Sequence, residues 1–149
     1  MKALVWGVAA LLVGCTPKGV QVNTTQLLDR VRALATEDLG LTPITCVDEV
    51  FKTDPEVACY SAPHDAEAFM SKVNAALNAR GFKSVTGWRD DYGVASLILQ
   101  YGDVPREISM QFERPTEFWK LPRYDILRKT GAQGAVVIGV SDDDPADRF

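Results

Sequence analysis

Hydrophobic and polar positions in this chain alternate with two different periods, and the changes of period mark its elements. Leu27, Leu28, Val31, Leu34 and Ala35 fall on one stripe of a 3.6-residue repeat, which predicts a helix from about Thr24 to Leu39. Asn23 suits its N-cap, Gln26 stands three residues on, and Val22 with Leu27 fits the flanking hydrophobic staple. Gly40 supplies the stop. A second stripe of Ala66, Phe69, Met70, Val73, Ala76 and Leu77 predicts a helix over about Asp65 to Arg80. Gly81 fits a left-handed end at which Phe82 folds back on Leu77.

Elsewhere the pattern shortens. Segments 43–51 and 57–62 are rich in β-branched and apolar residues and flank Lys52 to Glu56, which reads as two strands and a turn. Further strands are predicted over 83–89, 94–101 and 106–113, with Asp90-Asp91-Tyr92-Gly93 and then Gly102-Asp103 breaking the run. Ile108, Met110 and Phe112 alternate with Glu107, Ser109, Gln111 and Glu113, so that strand has one dry and one wet face. Pro115 ends it. Residues 116–129 carry no clear period beyond a short helix near Tyr124 to Lys129; Ala135 to Val140 is a buried strand, and Ser141 to Phe149 an acidic, frayed tail. This order argues for an α+β fold: a mostly antiparallel sheet of about five to six strands with two main helices packed on one face.

The first fifteen residues follow neither period. Lys2 precedes eleven uncharged residues, Ala3 to Val13, the layout of a secretory leader. As a helix this run rises about 16 Å, against roughly 30 Å of hydrocarbon, so it is too short to span a bilayer. Its end, Leu12-Val13-Gly14-Cys15, resembles the lipobox of bacterial lipoprotein precursors. That resemblance covers residues 1–15 alone. It implies diacylglycerol on the Cys15 thiol, cleavage between Gly14 and Cys15, and further acylation such as palmitate on the new amino group. Two or three chains hold durably, since each buried methylene contributes about 0.8 kcal/mol. It also implies a cell-membrane location on the extracytoplasmic side. Thr16 rather than Asp follows the cysteine, which favours the periplasmic face of the outer membrane if the host is Gram-negative. The expected division is a cleaved signal peptide (1–14), a lipidated tether (15–22), one α+β domain (23–141) and an acidic tail (142–149). The tether's eight residues reach under about 30 Å when stretched.

Composition narrows the partners. A net charge of −4, or −5 once Lys2 leaves with the leader, lacks the basic footprint that nucleic acid requires. With Cys15 assigned to lipid, Cys46 and Cys59 remain as an even pair, expected to form a disulfide in an oxidising compartment. A symmetric hairpin centred on Asp54-Pro55 would place Val50, not Cys46, opposite Cys59. The bridge therefore needs a loop centred nearer Lys52-Thr53, a bulge, or strands that are not simple neighbours.

Candidate chemistry is sparse. His64, the one histidine, lies near Ser61 and Asp65, but without a nucleophile motif the better reading is helix capping. The acidic pairs Asp48-Glu49 and Asp90-Asp91 and the triple Asp142-Asp143-Asp144 match no calcium-loop spacing, and neither a metal site nor a cofactor is expected. One segment stands apart: Arg114 to Tyr124, punctuated by Pro115 and Pro122, mixes Phe118, Trp119 and Tyr124 with Arg114, Lys120 and Arg123. Aromatics and arginine make interface hot spots, and such a mixture also suits a membrane surface or an anionic envelope polymer. Its plainer reading is a loop that tucks Phe118 and Trp119 over one end of the core. Three classes of function follow: a lipid-anchored binding module, an envelope inhibitor of a lytic enzyme, and last a hydrolytic enzyme, for which no nucleophile and base can be assembled.

Overall fold

Helix α1 (Thr24–Ala33) begins at a reciprocal cap, in which the Asn23 side chain accepts from the Gln26 amide at 2.8 Å and Gln26 Oε1 accepts from the Asn23 amide at 3.1 Å. The computed structural model describes residues 21–148; the leader, Gly14 and Cys15 lie outside the described residues. Beyond Ala33 the helix widens into a π-helical stretch, Leu34–Asp38, as the Thr36 hydroxyl donates to the Arg32 carbonyl at 2.9 Å, a back-bond that bends helices. Gly40 then turns the chain at φ 65°.

The chain continues through β1 (Thr42–Ile44), α2 (Glu49–Lys52), β2 (Val57–Ala62), α3 (Ala66–Ala76), β3 (Phe82–Ser84), β4 (Arg89–Asp91), β5 (Val94–Tyr101), β6 (Glu107–Glu113), α4 (Asp125–Lys129) and β7 (Gly134–Ser141). α3 is capped by Asp65, which accepts from the Ala68 amide at 2.9 Å. It ends as expected: Gly81 adopts φ 80° and the Phe82 amide donates to the Leu77 carbonyl at 3.0 Å. Arg80 clamps the ends of the two long helical segments together, donating to Glu37 at 2.6 Å and to Asp38 at 3.1 Å. Its hydrogen bond holds the Asp38 carboxyl below the usual range.

The strands form one antiparallel sheet in the order β1-β2-β7-β6-β5-β3, with β4 also paired to β5. Alternation along the central strands divides their side chains. Leu97 and Leu99, Ile108, Met110 and Phe112, and Val136, Ile138 and Val140 point into one core with Leu27, Val31 and Leu34 of the first helix and Phe69 and Val73 of α3. The Phe69 and Phe112 rings meet there at 4.9 Å. Both main helices cover this face, as the α+β pattern requires.

Three expected elements differ. The predicted strand 43–51 stops at Ile44, since Asp48 accepts from the Val50 amide at 2.9 Å and starts the helical turn α2. The strand predicted over 83–89 is split into β3 and β4. Between their ladders four residues, Val85 to Trp88, oppose only Leu97 and Ile98 of β5, and both Val85 and Thr86 amides point at the Ile98 carbonyl. This bulge turns Trp88 against Phe69, where its indole donates to Asn74 at 3.0 Å. The acidic tail is ordered into a 3-10 turn, Pro145–Arg148, with Asp144 accepting from the Ala146 amide at 2.9 Å.

The disulfide joins Cys46 and Cys59, whose Cα atoms are 5.1 Å apart. Ile44, not Cys46, is paired with Cys59, so the β1–β2 connection is centred near Lys52 and the strand ends in time for Cys46 to reach across.

Gly134 marks the tightest point of the core. A Cβ there would overlap the Phe112 ring, whereas one on Gly139 would meet the rotatable Ser109 hydroxyl at 3.2 Å and touch a Val57 methyl at an ordinary 3.7 Å. Gly134→Ala is expected to lower unfolding free energy by about 1–3 kcal/mol, and Gly139→Ala to stay within about 0.5 kcal/mol, in chemical denaturation of both variants. Equal effects would disprove the contact.

Candidate functional site

The sheet face opposite the helices carries Ser96, Ile98, Ser109, Gln111, Glu113, Val137 and Gly139, mostly polar or small, as the period of two dictates. It is covered in part by two irregular segments. One is the disulfide-braced connection with α2; the other is the β6–β7 connection, folded as 3-10 turns Glu117–Lys120 and Pro122–Tyr124 followed by α4. Their junction is a second small core of Trp119, Leu127 and Ala135, with Ile44, Val47, Tyr124 and Ala132 packed against it. The Trp119 and Tyr124 rings lie nearly parallel, 6.1 Å apart, and Arg123 covers the Tyr124 ring at 5.3 Å.

The aromatic segment is thus split by the fold. Trp119 is buried and belongs to the support, while Phe118 is left 64% exposed, with Leu121 and Ile126 near it in sequence also exposed. The expected tucking of the loop holds for Trp119 and fails for Phe118, because a 3-10 turn points adjacent residues in different directions. Its cations are largely engaged: Arg114 pairs with Asp90 at 2.7 Å and so leaves the aromatic group, and Lys120 pairs with Glu117 at 2.5 Å. Arg128, which sequence reasoning passed over, ties the segment together by donating to the carbonyls of Trp119 and of Leu121, the latter at 3.2 Å, and by pairing with Asp125. Of the Ser61, His64 and Asp65 group, Ser61 is buried and the Asp65 carboxylate is occupied at its helix cap. Among the described residues no group of three or more His, Cys, Asp or Glu is placed to hold a metal ion.

Under the junction lies a cavity of about 220 Å³, lined by Ile44, Val47, Asp48, Phe51, Gln111, Glu113, Tyr124 and Val137, among others. Such a space admits one side chain or a very small molecule, being below the usual size of a drug-sized ligand's pocket. Glu113 stands half-buried on its wall. Burial pushes its carboxyl above the ordinary glutamate range, Asp48 adds repulsion, and the Trp119 indole and Arg123 oppose the shift. The Trp119 Nε1 hydrogen itself is buried without a regular hydrogen bond. It leans on Glu113 closely enough to favour the carboxylate, but not in the geometry of a closed bond. The wet face of β6 was legible in the sequence, whereas the meeting of Asp48 and Phe51 with Glu113 depends on strands remote in sequence.

The chain matches no protein-family model, no curated protein and no solved structure.

Because burial favours the neutral acid in the folded chain, Glu113 holds its proton at higher pH when folded than when unfolded. Its contribution is complete below the unfolded value and lost as pH rises through the folded one. Glu113→Gln should therefore raise the melting temperature at neutral pH, with the gain fading in acid. A gain that persisted unchanged at low pH would contradict this origin.

Proposed function

We propose that the chain is a small lipoprotein of the bacterial cell envelope, anchored through lipid on Cys15, that acts as a non-enzymatic binding module presenting one pole of its sheet to an envelope partner. Cleavage between Gly14 and Cys15 leaves the domain on a tether of under about 30 Å. The anchor reading rests on the leader and lipobox residues. Among the described residues no helix is long and apolar enough to cross a membrane.

One observation carries the orientation. Gln21 to Asn23 lie beside the β5–β6 turn, residues 103–106, at one end of the sheet. The β4–β5 turn and the β6–β7 connection lie at the other, where Val94 pairs with Glu113 and Glu113 with Ala135. The length of β6 separates these ends by roughly 20 Å at about 3.4 Å per residue. Of the large apolar side chains the fold leaves most exposed, Tyr92 (98%), Phe118, Leu121 and Ile126 all belong to those distal connections. A domain held at its tethered end would turn this pole away from its own membrane. That favours a protein partner, or a facing envelope polymer, over the anchoring bilayer. Val50, 74% exposed on the disulfide-braced α2, supports the second reading, an inhibitor that inserts a rigid loop into a lytic enzyme. In a Gram-negative host Thr16 favours the outer membrane's periplasmic face.

Intact-mass analysis is expected to show an acylated chain beginning at Cys15, and Cys15→Ser to lose the acyl mass; an unmodified chain beginning at Met1 would end the anchor reading. For the contact pole, Phe118→Ser combined with Leu121→Ser should lower partner recovery from crosslinked envelopes at least tenfold. Both residues are exposed, so stability should move by only about 0.5 kcal/mol per substitution. Trp119→Ala, by contrast, removes a buried ring and should cost about 3–5 kcal/mol. Undiminished recovery with the double variant would discard the pole as the contact.

A further inference from the structure

The cavity beneath the aromatic cap has a chemical bias of its own. Its walls combine aliphatic surface from Ile44, Val47 and Val137, the Phe51 ring, and two carboxylates, Asp48 and Glu113. Among the described residues neither carboxylate closes an ion pair, while nearby cations are committed elsewhere: Lys52 to Glu49, Lys120 to Glu117, Arg114 to Asp90 and Arg128 to Asp125. Arg123 acts on Glu113 only at a distance and stacks on Tyr124. Glu113 is half-buried in this wall, whereas Asp48 is exposed at its rim and caps α2 by accepting from the Val50 amide. An entering cation offsets the desolvation of Glu113 and the weaker repulsion from Asp48. The Trp119 indole does not line the cavity but, buried without a closed hydrogen bond, acts on Glu113 from beside it.

We propose that this cavity binds an alkylammonium group, its aliphatic stem against Ile44, Val47 and Val137 and its nitrogen between the carboxylates of Asp48 and Glu113. This deepens the binding-module reading and rests on the same pole, but it does not depend on the lipid anchor or on Phe118. The volume, about 220 Å³, suits a single unbranched chain. The group comes either from a free alkylamine or from a lysine side chain of a partner. On binding, one oxygen of the Glu113 carboxylate accepts from the ammonium and the other draws the Trp119 N–H into a regular hydrogen bond.

That coupling gives the readout. The full chain, isotope-labelled and held in mild detergent, is titrated with n-pentylammonium chloride and with n-pentanol, its neutral counterpart, following the indole N–H resonances. Trp119 is identified against a Trp88→Phe variant and, where the leader is retained, a Trp6→Phe variant. The expected result is a saturable downfield shift of the Trp119 resonance with the amine and none with the alcohol. Asp48→Asn keeps a good helix cap and Glu113→Gln keeps the side-chain volume, so both should fold; each should weaken amine binding about tenfold or more. A parallel titration with acetyl-Gly-Lys-Gly-amide, against its norleucine analogue, assigns the source: tighter binding of the lysine peptide than of pentylammonium indicates a partner's side chain, and the reverse a free amine. An equal shift with pentanol, amine binding that survives both substitutions with the fold intact, or no saturable shift with either amine probe would overturn the proposal. Such failure would leave the Phe118 and Cys15 experiments to decide their own questions.

Discussion

Successive residues of β6 must point to opposite faces of the sheet, and the architecture follows from how that strand is filled. Phe112 faces the helices, meets the tilted Phe69 ring at 4.9 Å and lies over the bare backbone of Gly134. Its neighbour Glu113 is thereby committed to the other face. A one-residue slip would exchange the two, placing a carboxylate in the core and a phenyl ring on the wet side. Ile108 and Met110 repeat the same commitment in register with Val140 and Ile138 of β7, so the dry face is fixed over the full strand. The core is therefore what obliges the opposite face to be polar and only half covered.

That half-covered face is also where the fold leaves room for contact, because the sheet edges offer little. β1 is three residues long and contains Pro43, which has no amide hydrogen to donate. On the other side β3 and β4 together cover β5, but the bulge at Val85 to Trp88 breaks them into two short ladders. Short, interrupted and proline-bearing edges resist strand addition. What remains is the pole built by the β4–β5 turn, α2 and the β6–β7 connection, and it is held by specific means: the Cys46–Cys59 bridge, the Arg114–Asp90 pair and the Arg128 bonds to two loop carbonyls.

Both long helices, their caps and the α+β layout could be read from the sequence because each rests on local information. Asn23 with Gln26, Asp65, and Gly81 with Phe82 act within one or two turns of themselves. The dry and wet faces of β6 were readable for the same reason. Reading failed where a short apolar run served a tertiary purpose. Val47, Val50 and Phe51 looked like strand because they are apolar and partly β-branched, but the reach of Cys46 toward Cys59 leaves Val47 in a bend and Asp48 starts a helical turn through Val50 and Phe51. Val85 to Trp88 looked continuous, but β5 has only two residues to oppose four. The aromatic segment was noticed for its composition, yet composition could not separate the buried Trp119 from the exposed Phe118. Nor could it bring Asp48 to Glu113, which meet only because β2, β7 and β6 are adjacent in the sheet.

The two ends of the sheet differ in a way that gives the polarity of the molecule a physical meaning. At the end where the chain enters, Lys83 pairs with Asp103 at 3.3 Å and Arg106 with Asp142, so the surface is one of compensated charge. Such pairs on an exposed surface contribute little to stability, but they make a poor site for apolar docking. At the far end Tyr92, in a strained turn at φ 50°, is almost wholly exposed, and Phe118 and Leu121 are displayed by turns that Trp119 and Arg128 hold rigid beneath them. Keeping aromatic side chains in water on a rigid support is unfavourable for an isolated domain and favourable for one that meets a partner, since the ordering entropy has already been spent. The same logic applies to Glu113, whose carboxyl is kept half-buried beside Asp48 when a glutamine would fit. Both features lie at the pole farthest from Gln21 to Asn23, so the exposed aromatic side chains and the half-buried carboxyl share one end of the sheet.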